Sequence, residues 1–187
     1  MKQWSLFFAL GLAVVVAVVV GCASGSAKSV LRETGRQELA KSLLGDPGVE
    51  FAAYHVSGRR DQATAMHNMR QTAAGLQAAR SSYGKAPGGY TYLSSQMLRA
   101  MKIMRDRGYR FHVTSIAGSS HSRKSRHYLG VAFDVNRING VKVGYGRPYW
   151  REFIRQCEAM GATETLGPGD PGHSGHIHVA WPRPPGL

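Results

Sequence analysis

Two short segments, Val131-Ala-Phe-Asp-Val135 and His176-Ile-His-Val-Ala-Trp181, constrain this chain more than any other part of it. Each has the length and apolar content of a strand, and side chains alternate across a strand. Val131, Phe133 and Val135 then share one face, with Ala132 and Asp134 on the other. The second segment buries Ile177, Val179 and Trp181 and leaves His176, His178 and Ala180 opposite. A fold that satisfies both is a sheet with one apolar face against a core and one face carrying titratable groups. His127, just upstream, joins Asp134 and His178 to give two imidazoles and a carboxylate, the donors of a zinc site that keeps a position open for water.

The histidines are unevenly spread. Five of the 8 fall in 121–127 and 173–178. His55, His67 and His112 stand alone and read as ordinary structural histidines. His121 and His173 fit either a functional place or one that only supports a ligand or meets solvent. Ser125 reads as a hydroxyl that fixes the loop carrying His127. Gly130 and Ala132 read as small residues that leave room beside a metal. No Ser/His/Asp arrangement has a supporting context in the sequence, so a serine nucleophile is not expected.

The stretch Ser125-Arg-His-Tyr-Leu-Gly-Val-Ala-Phe-Asp134 matches Ser-x-His-x-x-Gly-x-Ala-x-Asp. In this the chain resembles the D-Ala-D-Ala carboxypeptidase and dipeptidase metallopeptidases. Its later His-x-His resembles the wider group that includes lysostaphin, murein endopeptidases and the hedgehog signalling domain. The spacing of His173, His176 and His178 is most similar to the penicillin-insensitive murein endopeptidases. The resemblance covers roughly residues 90–185. It implies that His127, Asp134 and His178 bind zinc and that His176 positions or deprotonates the attacking water. Asp170 and His173 form an alternative pair, but they lie in the Gly/Pro loop 166–172, so His176 and His178 are preferred. The arginine that such enzymes carry on the strand before the first histidine is missing from Phe111–Gly118. Arg123, Lys124 or Arg126 is expected to replace it, and Arg126, Ser125 and His173 are the residues assigned to substrate.

The amino-terminal 21 residues read as a lipoprotein signal. Lys2 precedes an apolar run from Leu6 to Val20, short for a membrane span, and Val19-Val20-Gly21-Cys22 resembles a lipobox. Cys22 is then the lipidated residue, and the mature chain is expected on the extracytoplasmic side of a bacterial membrane, held there by its lipid. With Cys22 acylated, Cys157 has no partner and reads as a buried thiol. Cleavage before Cys22 removes only the charge of Lys2 from a formal net charge of +13. In an exported protein that balance points to anionic envelope polymers or headgroups rather than nucleic acid. The basic residues also lack the aromatic interleaving of single-strand binders.

The expected organisation is a tether over 22–35, a helical extension over 36–89 and a zinc metallopeptidase domain over 90–187. Within the extension, helices are expected over 36–45 and 61–80, the second with Met66, Met69, Ala73 and Leu76 along one face. The domain opens with a helix over 95–107, capped by Ser94 or Ser95, burying Met97, Met101 and Met104, and stopped by Gly108. Strands follow at 110–116 and 131–135, then a hairpin turn at Asn139-Gly140, a helix from Pro148 to Gly161, and strands at 163–166 and 176–181. The fold class is α+β: a small antiparallel sheet with helices on one face and the zinc cleft on the other, hedgehog-like by resemblance. The resemblance implies a zinc metallopeptidase that hydrolyses D-amino-acid-containing peptide bonds of peptidoglycan, of the D,D-carboxypeptidase or endopeptidase type. The alternative is a zinc-containing envelope lipoprotein that binds peptidoglycan peptides without cutting them.

Overall fold

The computed structural model describes residues 35–183. The signal segment, Cys22 and most of the tether lie outside the described residues. No helix among the described residues is long and apolar enough to cross a membrane.

Alternation in the two constraining strands sets the architecture. β5 (Ala132–Ile138) and β8 (Ile177–Ala180) pair antiparallel, with Phe133 opposite Val179 and Asp134 opposite His178. β4 (Phe111–Ser115) lies on the other side of β5, and β7 (Glu164–Leu166) on the other side of β8. β1 (Val49–Phe51) extends the sheet beyond β4, giving the order β1-β4-β5-β8-β7. Only β1 and β4 run parallel; the remaining pairs are antiparallel. Short β6 (Val141–Lys142) returns along β5 through Asn139 and Gly140, whose φ of 50° and 79° suit the expected tight hairpin. The protein is therefore a mixed α/β structure with a mostly antiparallel sheet.

One side of this sheet is the core. Val113, Phe133, Val135, Ile177 and Val179 belong to a buried cluster with the apolar stripes of two helices. α3 (Ser95–Asp106) begins where Ser94 accepts from the Met97 N–H at 3.3 Å, and it buries Met97, Met101 and Met104 as its periodicity predicts. Gly108 follows it at φ 87°, a left-handed position that suits glycine. α4 (Trp150–Ala159) starts two residues after Pro148 and brings Phe153 edge-on to Phe111 at 5.3 Å. Cys157 lies on the same stripe, and burial pushes its thiol up to about 12, so it stays protonated and inert.

Residues 36–89 are more closely joined to the sheet than a helical extension would be. A helix over 35–44 (α1) sends Ala40 and Leu43 into the common core, and β1 pairs with β4 directly. The long helix expected over 61–80 is only Ala65–Ala73 (α2). Thr64 caps it, Gly75 at φ 80° turns the chain out of it, and Leu76, expected on its buried face, is 61% exposed. Ala78–Ala79 (β2) then pairs with Tyr90–Thr91 (β3) in a separate two-stranded ribbon.

Candidate metal centre

The polar side of the sheet gathers Asp134 and His178 by direct cross-strand pairing. His127 reaches them from a single 3-10 turn, Arg126–Leu129. Ser125 starts that turn by accepting from the His127 N–H at 3.3 Å. Gly130 ends it at φ 69°, where a Cβ would stand 2.3 Å from the Tyr92 carbonyl oxygen. No other residue fits there without moving the backbone. His127, Asp134 and His178 are all buried, at 1%, 5% and 5% exposure.

Three donor atoms form a nearly equilateral triangle. His127 Nε2 lies 3.1 Å from Asp134 Oδ1 and 3.0 Å from His178 Nδ1, and His178 Nδ1 lies 2.9 Å from Asp134 Oδ1. The outer nitrogens fix the tautomers. His127 Nδ1 donates to the Ile116 carbonyl at 2.6 Å, and His178 Nε2 donates to Glu164 Oε1 at 3.2 Å. A neutral imidazole has one N–H, and each is spent outward. In the neutral tautomers that these bonds favour, the inner nitrogens present lone pairs to each other and to a carboxylate. Such an arrangement favours a cation, whether a proton or a metal ion. Four donors around zinc at 2.0–2.1 Å stand about 3.3 Å apart, close to the edges of this triangle. The outward hydrogen bonds are the kind that orient histidine ligands and set their tautomers.

Charge follows the same geometry. Burial would raise the Asp134 carboxyl, but His127 and His178 outweigh it and hold the group well below the usual carboxylate range. Burial would lower His127, but the Asp134 charge and its hydrogen bond win and raise it. These opposed shifts describe a pocket that stabilises one positive charge beside one carboxylate.

His121 joins the group. Its ring stacks on His127 at 3.9 Å, and its Nε2 lies 3.0 Å from the Gly118 carbonyl and 3.1 Å from Ser115 Oγ. Burial above all, then the neighbouring His127, pushes its pKa down to about 3, so it is neutral. Ligand atoms of His121, His127 and Asp134 all lie within 4.8 Å of one another, and these residues could hold a metal ion. Two groupings thus share His127 and Asp134. The one completed by His178 has the shorter edges and the fully assigned lone pairs.

In front of the donors lies a cavity of about 510 Å³. Asp134 reaches its wall, together with His121, His173 and His176. His176 sits just before β8 and is half-buried, its ring 4.8 Å from that of His173. Burial lowers its pKa against the pull of Asp134, leaving a neutral imidazole at the wall. Asp170 is exposed and is spent on a turn, its Oδ2 accepting from the Gly167 N–H at 2.8 Å. The wall also carries serine, threonine, tyrosine and asparagine and, among the described residues, neither arginine nor lysine.

Arg126, assigned to substrate from the sequence, has structural partners here. It does not line the cavity. Its Nη1 donates to Thr163 Oγ1 at 2.6 Å and to the Trp181 carbonyl at 2.9 Å. Its Nε lies 3.1 Å from Glu164 Oε2, an ion pair too oblique to count as a hydrogen bond. Arg126 thus holds Glu164, which holds His178. Ser125 caps the motif turn and likewise stays off the cavity wall, whereas His173 does reach it. Glu164 is the functional neighbour that the sequence reading missed; its signal was an acidic residue on a strand expected next to the histidine strand. Glu164→Ala should weaken metal binding roughly 10–100-fold, as loss of a ligand's hydrogen-bond partner does. A competition titration against a chelator measures this, and unchanged affinity would deny Glu164 the role.

No family model, curated protein or solved structure matches the chain, so it is the donor set, on its own chemistry, that marks this pocket as a candidate metal centre.

Proposed function

We propose that this protein hydrolyses D-amino-acid-containing peptide bonds of bacterial peptidoglycan, using a zinc ion held by His127, Asp134 and His178. The observation that carries the reading is the triangle of lone pairs, two of them on histidines whose protons point outward. The Ser-x-His-x-x-Gly-x-Ala-x-Asp motif supports the substrate class and a hedgehog/D-Ala-D-Ala-peptidase-like arrangement of the sheet. The lipobox-like Val19–Cys22 supports a lipid anchor on the extracytoplasmic side, where that polymer lies.

Zinc bound there supplies Lewis acidity toward a carbonyl oxygen and lowers the pKa of water. The rest falls to the chain. The hydroxyl- and amide-rich wall orients the peptide by hydrogen bonds, and Asp134 and its histidines stay fixed by β5, β8 and the motif turn. His176, neutral and half-buried, accepts a proton from the attacking water on a ring nitrogen and returns it to the leaving amine. A free terminal carboxylate asks for an arginine or lysine partner, and among the described residues none lines the cavity. The bond cut is therefore internal, in a cross-link or stem, rather than the last bond of a chain.

Incubating the purified chain with cell-wall sacculi and identifying released fragments by mass spectrometry tests this. Cross-linked fragments should fall to uncross-linked or shortened ones without release of free D-alanine. Retention on sacculi with no fragments released would mark a peptidoglycan-binding module, and neither binding nor release would end the peptidoglycan reading.

A further inference from the structure

A second hydrogen-bonded chain meets the same cavity, and the metal donors use none of it. His55 is buried, at 3% exposure, although its isolated place in the sequence suggested nothing special. Its Nε2 lies 2.7 Å from Asp61 Oδ1, and its Nδ1 lies 2.8 Å from Ser119 Oγ. Asp61 is itself fixed: Oδ1 accepts from the Ala63 N–H at 2.7 Å, and Oδ2 from the Ser81 hydroxyl at 2.7 Å. Burial would raise the Asp61 carboxyl, but the hydrogen bonds from His55, Ser81 and Ala63 prevail and keep it below its ordinary value. An ionised Asp61 holds the imidazole proton on Nε2. Nδ1 is then a lone pair facing the Ser119 hydroxyl.

Ser119 is held for this. Its φ is 70°, a left-handed conformation uncommon for a residue with a side chain. Strain of that kind persists only where surroundings enforce it. Here the Ser119 N–H donates to Ser81 Oγ at 3.0 Å, and its carbonyl accepts from the Tyr128 hydroxyl at 3.3 Å. The preceding Gly118 lets the two loops touch, since a Cβ there would stand 2.0 Å from the Ala63 carbonyl oxygen. A buried histidine needs partners, but a relaxed serine would supply one equally well. The strained serine is partly exposed and lines the cavity with Tyr83 and His121.

We propose that Ser119 is a nucleophile, with His55 as its base and Asp61 orienting His55, acting on an amide or ester bound in this cavity. The roles follow from geometry, whatever the order of the residues along the chain. Ser119 Oγ forms a bond to the carbonyl carbon and its proton passes to His55 Nδ1. The C–N or C–O bond then breaks, and the leaving group takes that proton from His55. Water repeats the sequence in reverse, releasing the acid and restoring the serine hydroxyl.

A fluorophosphonate probe on the purified full-length chain tests the proposal apart from the metal reading. Ser119 Oγ bonds to phosphorus, fluoride leaves and the hydroxyl proton goes to His55. Peptide mapping should find one adduct, on Ser119, formed equally with and without a metal chelator. The isosteric Asp61→Asn should label roughly 10²–10⁴-fold more slowly, the usual contribution of a positioned base. No Ser119 adduct in the wild-type chain, labelling that vanishes with chelator, or undiminished labelling of Asp61→Asn would each overturn it. The wild-type mapping needs no variant to fold. Sacculus digestion that persists without any Ser119 adduct would leave the metal reading standing and remove this one.

Discussion

Asp134→Ala is expected to purify with almost no zinc and without measurable hydrolysis of a cross-linked cell-wall peptide, and the wild-type chain is expected to carry about one zinc per molecule. Asp134 is the one anion of the donor triangle, 2.9 Å and 3.1 Å from the two inner nitrogens. Without it, two buried lone pairs face each other at 3.0 Å with no carboxylate to offset a dication. Elemental analysis of wild type and variant decides the matter. The same measurement separates the two groupings that share His127 and Asp134. His178→Ala should lose its metal and His121→Ala should keep it, and the reverse result would transfer the third ligand to His121. Full zinc retention in Asp134→Ala would sink both.

His176→Ala should keep its metal and its fold yet lose hydrolysis by roughly 10²–10⁴-fold, the range for removing a positioned acid or base. Its backbone precedes β8, so the substitution leaves the strand ladder intact. Its ring lies on the cavity wall beside His173 and outside the donor triangle. Burial keeps the imidazole unprotonated near neutral pH, the state in which it can accept a proton. Parallel zinc analysis and turnover on a cross-linked peptide give the result. Zinc loss from this variant would make His176 a ligand, and unchanged turnover would leave it without a role in proton transfer.

What the sequence made legible was local. The cap of Ser94, the stripe of Met97, Met101 and Met104 and the turn at Asn139-Gly140 depend on neighbours a few residues away, and all appear in the structure. Alternation also placed Asp134 and His178 on one face, because period two is a property of each strand alone. That they stand directly opposite each other depends on pairing register, which neither strand encodes alone. Non-local contacts were the blind spot. Nothing near Val49–Phe51 announces a partner as distant as Phe111–Val113. Arg126 was read as a substrate contact to replace the arginine missing from Phe111–Gly118, and its partners in the structure are Thr163, Glu164 and Trp181. His55 and Asp61 come from one loop and Ser119 from another, brought together by a close approach at Gly118 that no spacing rule describes. The overlong α2 expectation failed for a different reason: apolar period continues past Gly75, but the backbone does not.

The outward hydrogen bonds of His127 and His178 have a thermodynamic consequence. The Ile116 carbonyl and Glu164 orient both rings as the chain folds, so an arriving ion finds donors that have already lost their rotational freedom. The unfolded chain offers no such set, and every increment of binding free energy is therefore returned as resistance to unfolding. At a free ion concentration one hundred times its dissociation constant that linkage amounts to about 2.7 kcal/mol. Because the candidate ligands come from β5, β8 and the motif turn, a bound ion would act as a removable cross-link between segments 44 residues apart in sequence. Metal supply would then govern how long each molecule persists as well as how fast it works.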